Sequence, residues 1–280
     1  MRLGVKICKS LNSKFPLPVH PFNLVTEGKT YAQWQFEKGG DTVAYFLPFS
    51  SLTEMFAGKT VVDVGCGAAG KTLFYASQGV EKIYGVEILE KYRKEAESLA
   101  ATHNLAHLFE FICADAAELP FESDSIDTII MNDALEHFPE PENVLTEALR
   151  VLRPEGRVYV NFPPYGHPFG AHLSDAMGMP WVHMFFSEKT LINVYKDAVA
   201  NLPEAQQRLD FRISKDEVGR EYFSYINKMT IRRAKKTVKS LGLKPAYHHE
   251  APLRPFLKAL AKLPLLKEVF VKMVVYVFEK

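Results

Sequence analysis

The most constraining feature of the chain is a rhythm that begins at Lys59. Short apolar runs alternate with helical stretches, and the first run, VVDV, breaks into the glycine-rich turn Gly65-Cys66-Gly67-Ala68-Ala69-Gly70. Runs of that length with no polar alternation are strands covered on both faces, the mark of a parallel sheet. Strands are expected at 60–64, 83–86, 109–113, 128–131 (led by Ile126 and Asp127) and 157–162. Helices are expected at 71–78, 90–102 and 142–152, the last stopped by Pro154 and Gly156. Right-handed crossovers then give a mostly parallel α/β sheet with helices on both faces.

Outside 59–162 the rhythm is lost. Residues 1–58 read as an irregular leader, broken at Pro16, Pro18 and Pro21, followed by helical segments rich in aromatics. Residues 163–225 continue no βα repeat and read as an insertion that caps the sheet. Residues 226–280 are expected to hold a helix over 227–241 closed by Gly242, a strand near 245–249, a helix over 253–263 and a strand over 273–278. These last strands bring the expected sheet to seven, a Rossmann-like arrangement with a cap insertion.

Composition narrows the classes of partner. The formal charge is +1 with 24% charged residues, which provides no basic footprint for nucleic acid. Cys8, Cys66 and Cys113 are odd in number and far apart, a pattern for neither a disulfide framework nor a thiolate metal site. With no secretory leader and no apolar run of membrane-spanning length, a cytoplasmic protein is expected. A basic amphipathic helix at the C-terminus, with Phe256, Leu257, Leu260 and Leu263 flanked by Lys258 and Lys262, offers peripheral contact with a membrane. None of these features sets the oligomeric state.

The glycine turn supports three readings. Gly65, Gly67 and Gly70 form G-x-G-x-x-G, and Gly65 through Thr72 also form G-x-x-x-x-G-K-T, a phosphate loop with Asp133 as its distant acid. A dinucleotide site and an adenosyl site use the same backbone logic. The neighbours discriminate. Asp63 beside the turn suits a cationic ligand and opposes a pyrophosphate. Glu87, 22 residues beyond Gly65, is placed to accept from two ribose hydroxyls. Asp115 follows the third strand, where an acid can accept from an adenine amino group.

The segments VVDVGCGAAG, GVEILEKY, ICADAAELPFESDSIDTIIMNDALEHF and EALRVLRPEGRVYVNFP resemble, in order and spacing, the motifs of the class I S-adenosylmethionine-dependent methyltransferases, most of all the subgroup that includes the ubiquinone and menaquinone methyltransferases. The resemblance implies S-adenosylmethionine as cofactor, while the aromatic insertion and the amphipathic C-terminal segment favour a small, apolar or lipid-like acceptor. It implies that Asp63, Gly65, Cys66 and Gly67 hold the methionyl end, Glu87 and Ile88 the ribose side, and Asp115 and Ala116 the adenine, with Asn132 lining the reactive side.

Asp133 and His137 leave the carboxyl end of the fourth strand and are the candidate bases. In the insertion, Tyr165, His167, His172, Trp181 and His183 are candidate acceptor contacts. The three histidines, even with Asp175, match no compact metal motif, so no metal is expected.

Overall fold

The computed structural model describes residues 3–18, 30–264 and 266–280. The break expected at Pro21 lies outside them. The described residues fall into two compact units, one drawn from Lys29–Phe162, Ile231–Ala251 and Met273–Lys280, the other from Met1–Gly28, Pro163–Thr230 and Pro252–Lys272.

The first unit is built on a seven-stranded sheet. Its strands in chain order are β1 (Thr60–Val64), β2 (Lys82–Glu87), β3 (Phe109–Cys113), β4 (Ile126–Asn132), β5 (Leu152–Phe162), β8 (Tyr247–Pro252) and β9 (Val271–Glu279). The spatial order is β3-β2-β1-β4-β5-β9-β8. β1 to β5 are parallel, and β9 runs antiparallel against β5, with Phe162 opposite Val274. Val61, Val62, Ile129 and Ile130 have no exposed surface, which is why these strands read as unbroken apolar runs.

The chain winds outward from β1 to β3 and then returns to the other side of β1 to place β4. Such a reversal opens a crevice at the carboxyl ends of the two strands, the usual ligand position of an open α/β sheet. Gly65 and Asp133 therefore leave the sheet at the same place.

Residues 30–56 form three short helices, Tyr31–Glu37, Gly39–Val43 and Leu52–Phe56. The last is fixed by a reciprocal capping box between Ser51 and Glu54. Phe46, Met55 and Phe56 are fully buried, and Phe56 stacks on Tyr75 at 5.1 Å, so these helices lie against the core as expected.

Three boundaries differ from the sequence expectation. The helix ahead of β5 ends at Val151, and Pro154 and Gly156 sit inside β5 rather than stopping a helix. The strand tolerates them because the β4–β5 register shifts between Ile126 and Thr128, and a proline in a sheet belongs at such an irregularity. The helix expected from 227 begins at Ile231. The amphipathic helix expected over 253–263 does not form; Pro255–Leu257 and Leu260–Lys262 make two single turns. Pro255 and Pro264 leave too few residues between them to offset the cost of helix nucleation. The C-terminal helix that was to meet a membrane is therefore absent from the fold, although Phe256 remains 81% exposed. Among the described residues no helix is long and apolar enough to cross a membrane.

The second unit joins segments far apart in sequence. Its first helix, Leu3–Asn12, replaces the irregular leader expected there. It packs on the helix Glu188–Val199: Val5 and Cys8 are buried with Leu191, Val194 and Tyr195, and Lys9 pairs with Asp197 at 2.5 Å. Helices Val182–Phe185 and Ala205–Arg212 and a hairpin of β6 (Ile213–Lys215) and β7 (Glu221–Phe223) complete it. At its centre the buried carboxylate of Asp175 accepts from Tyr195 Oη at 2.9 Å and pairs with Arg208 and Arg212 at 3.1 Å each.

Candidate functional site

The turn after β1 is shaped by backbone that few residues can adopt. Gly65 and Gly67 have φ of +79° and +54°, in the left-handed region that favours glycine. A Cβ at Gly67 would meet nothing within 4 Å, so that side of the turn is open to a ligand. Gly70 serves a different purpose. A Cβ there would lie 2.2 Å from the Ala32 carbonyl oxygen, so its glycine admits the helix Tyr31–Glu37 rather than a bound molecule.

Glu87, at the end of β2, is drawn into this turn. Its Oε2 accepts from the Gly67 N–H and its Oε1 from the Leu89 N–H, both at 3.0 Å. The two bonds fix the carboxylate while leaving each oxygen further accepting capacity. Ile88 beside it is 63% exposed, an apolar surface at the same strand end. Asp115 is exposed after β3 and accepts from the Ala117 N–H at 2.8 Å, while Ala116 is buried. The Cys66 thiol is buried; burial, then Asp63 and Glu87, push it well above its ordinary range, so it is a neutral contact surface.

These contacts weigh against the phosphate-loop reading. A nest of backbone N–H groups binds phosphate only when it is vacant of other anions. Here the Gly67 N–H is taken by Glu87, and the Gly65 and Cys66 N–H groups are taken by the Val86 carbonyl at 2.8 and 3.1 Å. The side chains of the apparent G-K-T are engaged as well: Lys71 Nζ pairs with Asp133 at 2.7 Å, and Thr72 Oγ1 donates to Asp63 at 2.5 Å.

The floor of the crevice carries a buried polar network. Burial pushes the Asp63 carboxyl up to about 6; the Thr72 hydrogen bond and the Lys71 charge oppose that rise, and Glu87 adds to it. Burial also works against the Lys71 ammonium, but Asp133 and Tyr75 outweigh it and hold Lys71 above its ordinary range. At the end of β4, Asn132 Nδ2 donates to Tyr75 Oη at 2.8 Å, and Asn132 Oδ1 is buried with no hydrogen-bond partner among the described residues. Asp133 has φ +53°, in the left-handed region that aspartate tolerates better than most non-glycine residues. Its N–H is held by Asn161 Oδ1 at 2.9 Å.

His137 is half-buried, with Nε2 3.8 Å from Glu136 Oε1. Burial, then the Asp133 charge, push Glu136 well above the usual carboxylate range.

Three participants in this network escaped sequence reasoning. Asn161 and Tyr75 fasten the end of β4, and Glu136 is buried although an acid beside a histidine reads as solvent-facing. Asn161 had a signal: it is a polar residue near the carboxyl end of an apolar strand, level with Asn132.

The expected acceptor contacts lie in the second unit. Tyr165 and His183 rings are 4.7 Å apart, and His183 Nε2 is 2.7 Å from the Tyr165 carbonyl oxygen. Trp181 Nε1 donates to the Gly166 carbonyl at 3.1 Å. His167 Nδ1 accepts from the Phe169 N–H at 3.2 Å, and burial, with His183 and Lys272, lowers its pKa to about 4. Burial lowers His183 as well, against its bond to Tyr165. Both rings are therefore neutral near pH 7. His172 has φ +52°, and its carbonyl accepts from Arg212.

Fold and turn together define a class I α/β protein built to hold an adenosyl group at the carboxyl edge of its sheet. Residues 62–160 match the family model of the methyltransferase domain, and that stretch of the chain is similar to the class I S-adenosylmethionine-dependent methyltransferases. The match is to the broad domain and singles out no quinone subgroup. The chain is 36% identical over 102 residues to a chloroplastic tocopherol O-methyltransferase of Arabidopsis thaliana, covering 36% of this chain and 29% of that protein. It is 33% identical over 118 residues to 27-O-demethylrifamycin SV methyltransferase of Amycolatopsis mediterranei, covering 42% and 41%. The matched stretch thus spans less than half the length of these relatives. A geranyl diphosphate methyltransferase solved in complex with S-adenosylmethionine shares the fold, with a TM-score of 0.54 at 14% identity over 87% of this chain and 84% of that one.

S-adenosylmethionine is the cofactor of this class, and the residues present fit it. The turn is open at Gly67, Glu87 retains accepting capacity, Ile88 offers an apolar face, and Asp63 is a buried carboxylate whose raised pKa a cationic ligand would relieve.

Proposed function

We propose that the chain transfers a methyl group from S-adenosylmethionine to a small, apolar or lipid-like acceptor. The observation that carries this reading is the Glu87 carboxylate, seated in the glycine turn by the Gly67 and Leu89 N–H groups. When bound, the cofactor supplies an electrophilic methyl group on its sulfonium. Glu87 would accept from the ribose hydroxyls, and Asp63, with the turn Gly65–Cys66–Gly67, would hold the cationic methionyl end. Asp115 would accept from the adenine amino group, with Ala116 and Ile88 against the ring and ribose. Asn132 would line the reactive side through its backbone.

His137 would take the proton lost by the acceptor. Asp133, engaged by Lys71, would position the strand end on which His137 is carried. Tyr165, Trp181, His172 and the neutral rings of His167 and His183 would supply acceptor contacts from residues 163–225. The apolar preference is supported by the aromatic content of that segment and by the tocopherol and rifamycin acceptors named for the relatives. A cytoplasmic location fits this chemistry, and contact of the exposed Phe256 and its neighbouring lysines with an anionic membrane belongs to the same proposal. Retention of the protein by anionic but not neutral vesicles tests that contact.

Glu87→Ala is expected to weaken S-adenosylhomocysteine binding by about 1.5–3 kcal/mol, the worth of hydrogen bonds to a charged group. Glu87→Gln should fall between, because it keeps an acceptor. Calorimetric affinities equal to wild type in both variants would sink the ribose assignment. His137→Asn is expected to lower turnover by about 10²–10⁴-fold, the usual contribution of a positioned base, at nearly unchanged cofactor affinity. A chain that binds S-adenosylhomocysteine but turns over no tocopherol-like or polyketide acceptor would be a binder rather than an enzyme.

A further inference from the structure

The edge of the sheet farthest in strand order from β3 carries a second cavity. Its volume is about 370 Å³, at the small end of the range of small-molecule sites. The helix Ile231–Ser240 presents Lys235, Val238 and Lys239 to it at the spacing of one helix face, and the chain beyond adds Leu243, Lys244 and Pro245. Gly242, with φ +67°, turns the chain so that Leu243 N–H returns to the Val238 carbonyl at 3.0 Å. β8 and β9 provide His248 and Tyr276.

Two features mark this cavity as more than a gap between surface lysines. First, Tyr276 is 3% exposed, and among the described residues its hydroxyl is buried with no hydrogen-bond partner. Burial, then Glu250, hold that phenol above its ordinary range, so it is a donor awaiting an acceptor. Second, charge and shape are divided within the cavity. Lys235, Lys239 and Lys244 bring ammonium groups, of which Lys235 is paired with Glu250 at 2.6 Å. His248 lies flat on Tyr276, at 4.5 Å and 10°. Val238, Leu243 and Pro245 add apolar wall.

We propose that this cavity binds a small phosphomonoester with a flat apolar body. The lysines would meet the phosphate as point charges, the Tyr276 hydroxyl would donate to an oxygen of the ligand, and the body would rest on the apolar wall and the His248 ring. The site is separate from the cofactor turn, since β5 and β4 lie between β9 and β1. It does not depend on the methyltransferase reading.

Phenyl phosphate is the probe, titrated by calorimetry and by amide chemical shifts into the full-length protein, beside inorganic phosphate and phosphatidic acid vesicles. Saturable binding of phenyl phosphate, about tenfold tighter than inorganic phosphate, is the expected result. It should weaken about tenfold in the double variant Lys239→Ala/Lys244→Ala and severalfold in Tyr276→Phe. Tyr276→Phe removes only an unsatisfied hydroxyl, so its melting temperature should not fall, and a folded variant is assured. S-adenosylhomocysteine affinity should be unchanged in both. Equal affinity for the two phosphates, untouched by Tyr276→Phe, would overturn the proposal in favour of diffuse attraction to lysines. Capture by vesicles without binding of phenyl phosphate would overturn it in favour of a lipid surface.

Discussion

Asp175→Ala should destabilise the second unit by about 3–5 kcal/mol, because it strands two buried arginines without their counter-charge. The carboxylate has no exposed surface, and Arg208 and Arg212 are 4% and 2% exposed. Arg212 is further enclosed by the rings of Tyr195 and Tyr225, at 5.4 and 5.1 Å from its guanidinium. A domain is stable by only about 5–15 kcal/mol, so the expected loss is a large share of the whole. Asp175→Asn keeps the shape and one acceptor and should lie between. The two tryptophans make the measurement specific: Trp34 belongs to the first unit and Trp181 to the second. In a Trp34→Phe background, urea unfolding followed by Trp181 fluorescence should shift to lower urea. The same substitution followed through Trp34, in a Trp181→Phe background, should shift less. A change below about 0.5 kcal/mol at Trp181 is what a surface position gives and would remove the triad as the centre of this unit.

The same triad explains why this unit was hard to read in the sequence while the sheet was easy. Each strand from β1 to β5 announces itself locally, as an apolar run bounded by glycine or an acid, and its partners follow from crossover rules. The second unit is held by pairings that no local pattern encodes. The helix Leu3–Asn12 finds its partner near residue 190, and Asp175 its arginines more than 30 residues on. An aspartate followed by two arginines on a later helix looks like ordinary solvated charge until burial is known. The site shows the same division. Asp63, Glu87 and Asp115 stand out in the sequence as candidates because each lies near or just after the carboxyl end of a strand. Lys71 and Thr72 completed a phosphate loop on paper, since their true partners, Asp133 and Asp63, lie 62 and 9 residues away. Gly70 read as a ligand glycine because the approach of Ala32 that requires it is a tertiary contact.

Cofactor affinity should depend on pH through Asp63, and the sign follows from its surroundings. Without ligand, burial holds this carboxyl at about 6, above the ordinary value of 3.8. The fold thus favours the protonated form: Asp63 contributes stability in full below about pH 4, and that contribution is lost as pH rises through about 6. A cationic methionyl group beside Asp63 has the opposite preference. It selects the carboxylate, so binding must first remove the proton wherever the pH lies below about 6. Affinity for S-adenosylhomocysteine should be level between about pH 7 and 7.5 and should fall by about tenfold per pH unit below about 6. Near pH 5 binding should release about one proton, visible as a dependence of the calorimetric heat on buffer; near pH 7.5 the heat should be independent of buffer. Asp63→Asn should weaken binding at pH 7.5 and flatten the profile, with Thr72 still able to donate to the amide oxygen and keep the strand end in place. A wild-type profile that is flat between about pH 5 and 7.5 would mean that the cationic end of the ligand does not lie at Asp63. In that case the carboxylate serves the turn through Thr72, and Glu87 would have to carry the recognition on its own.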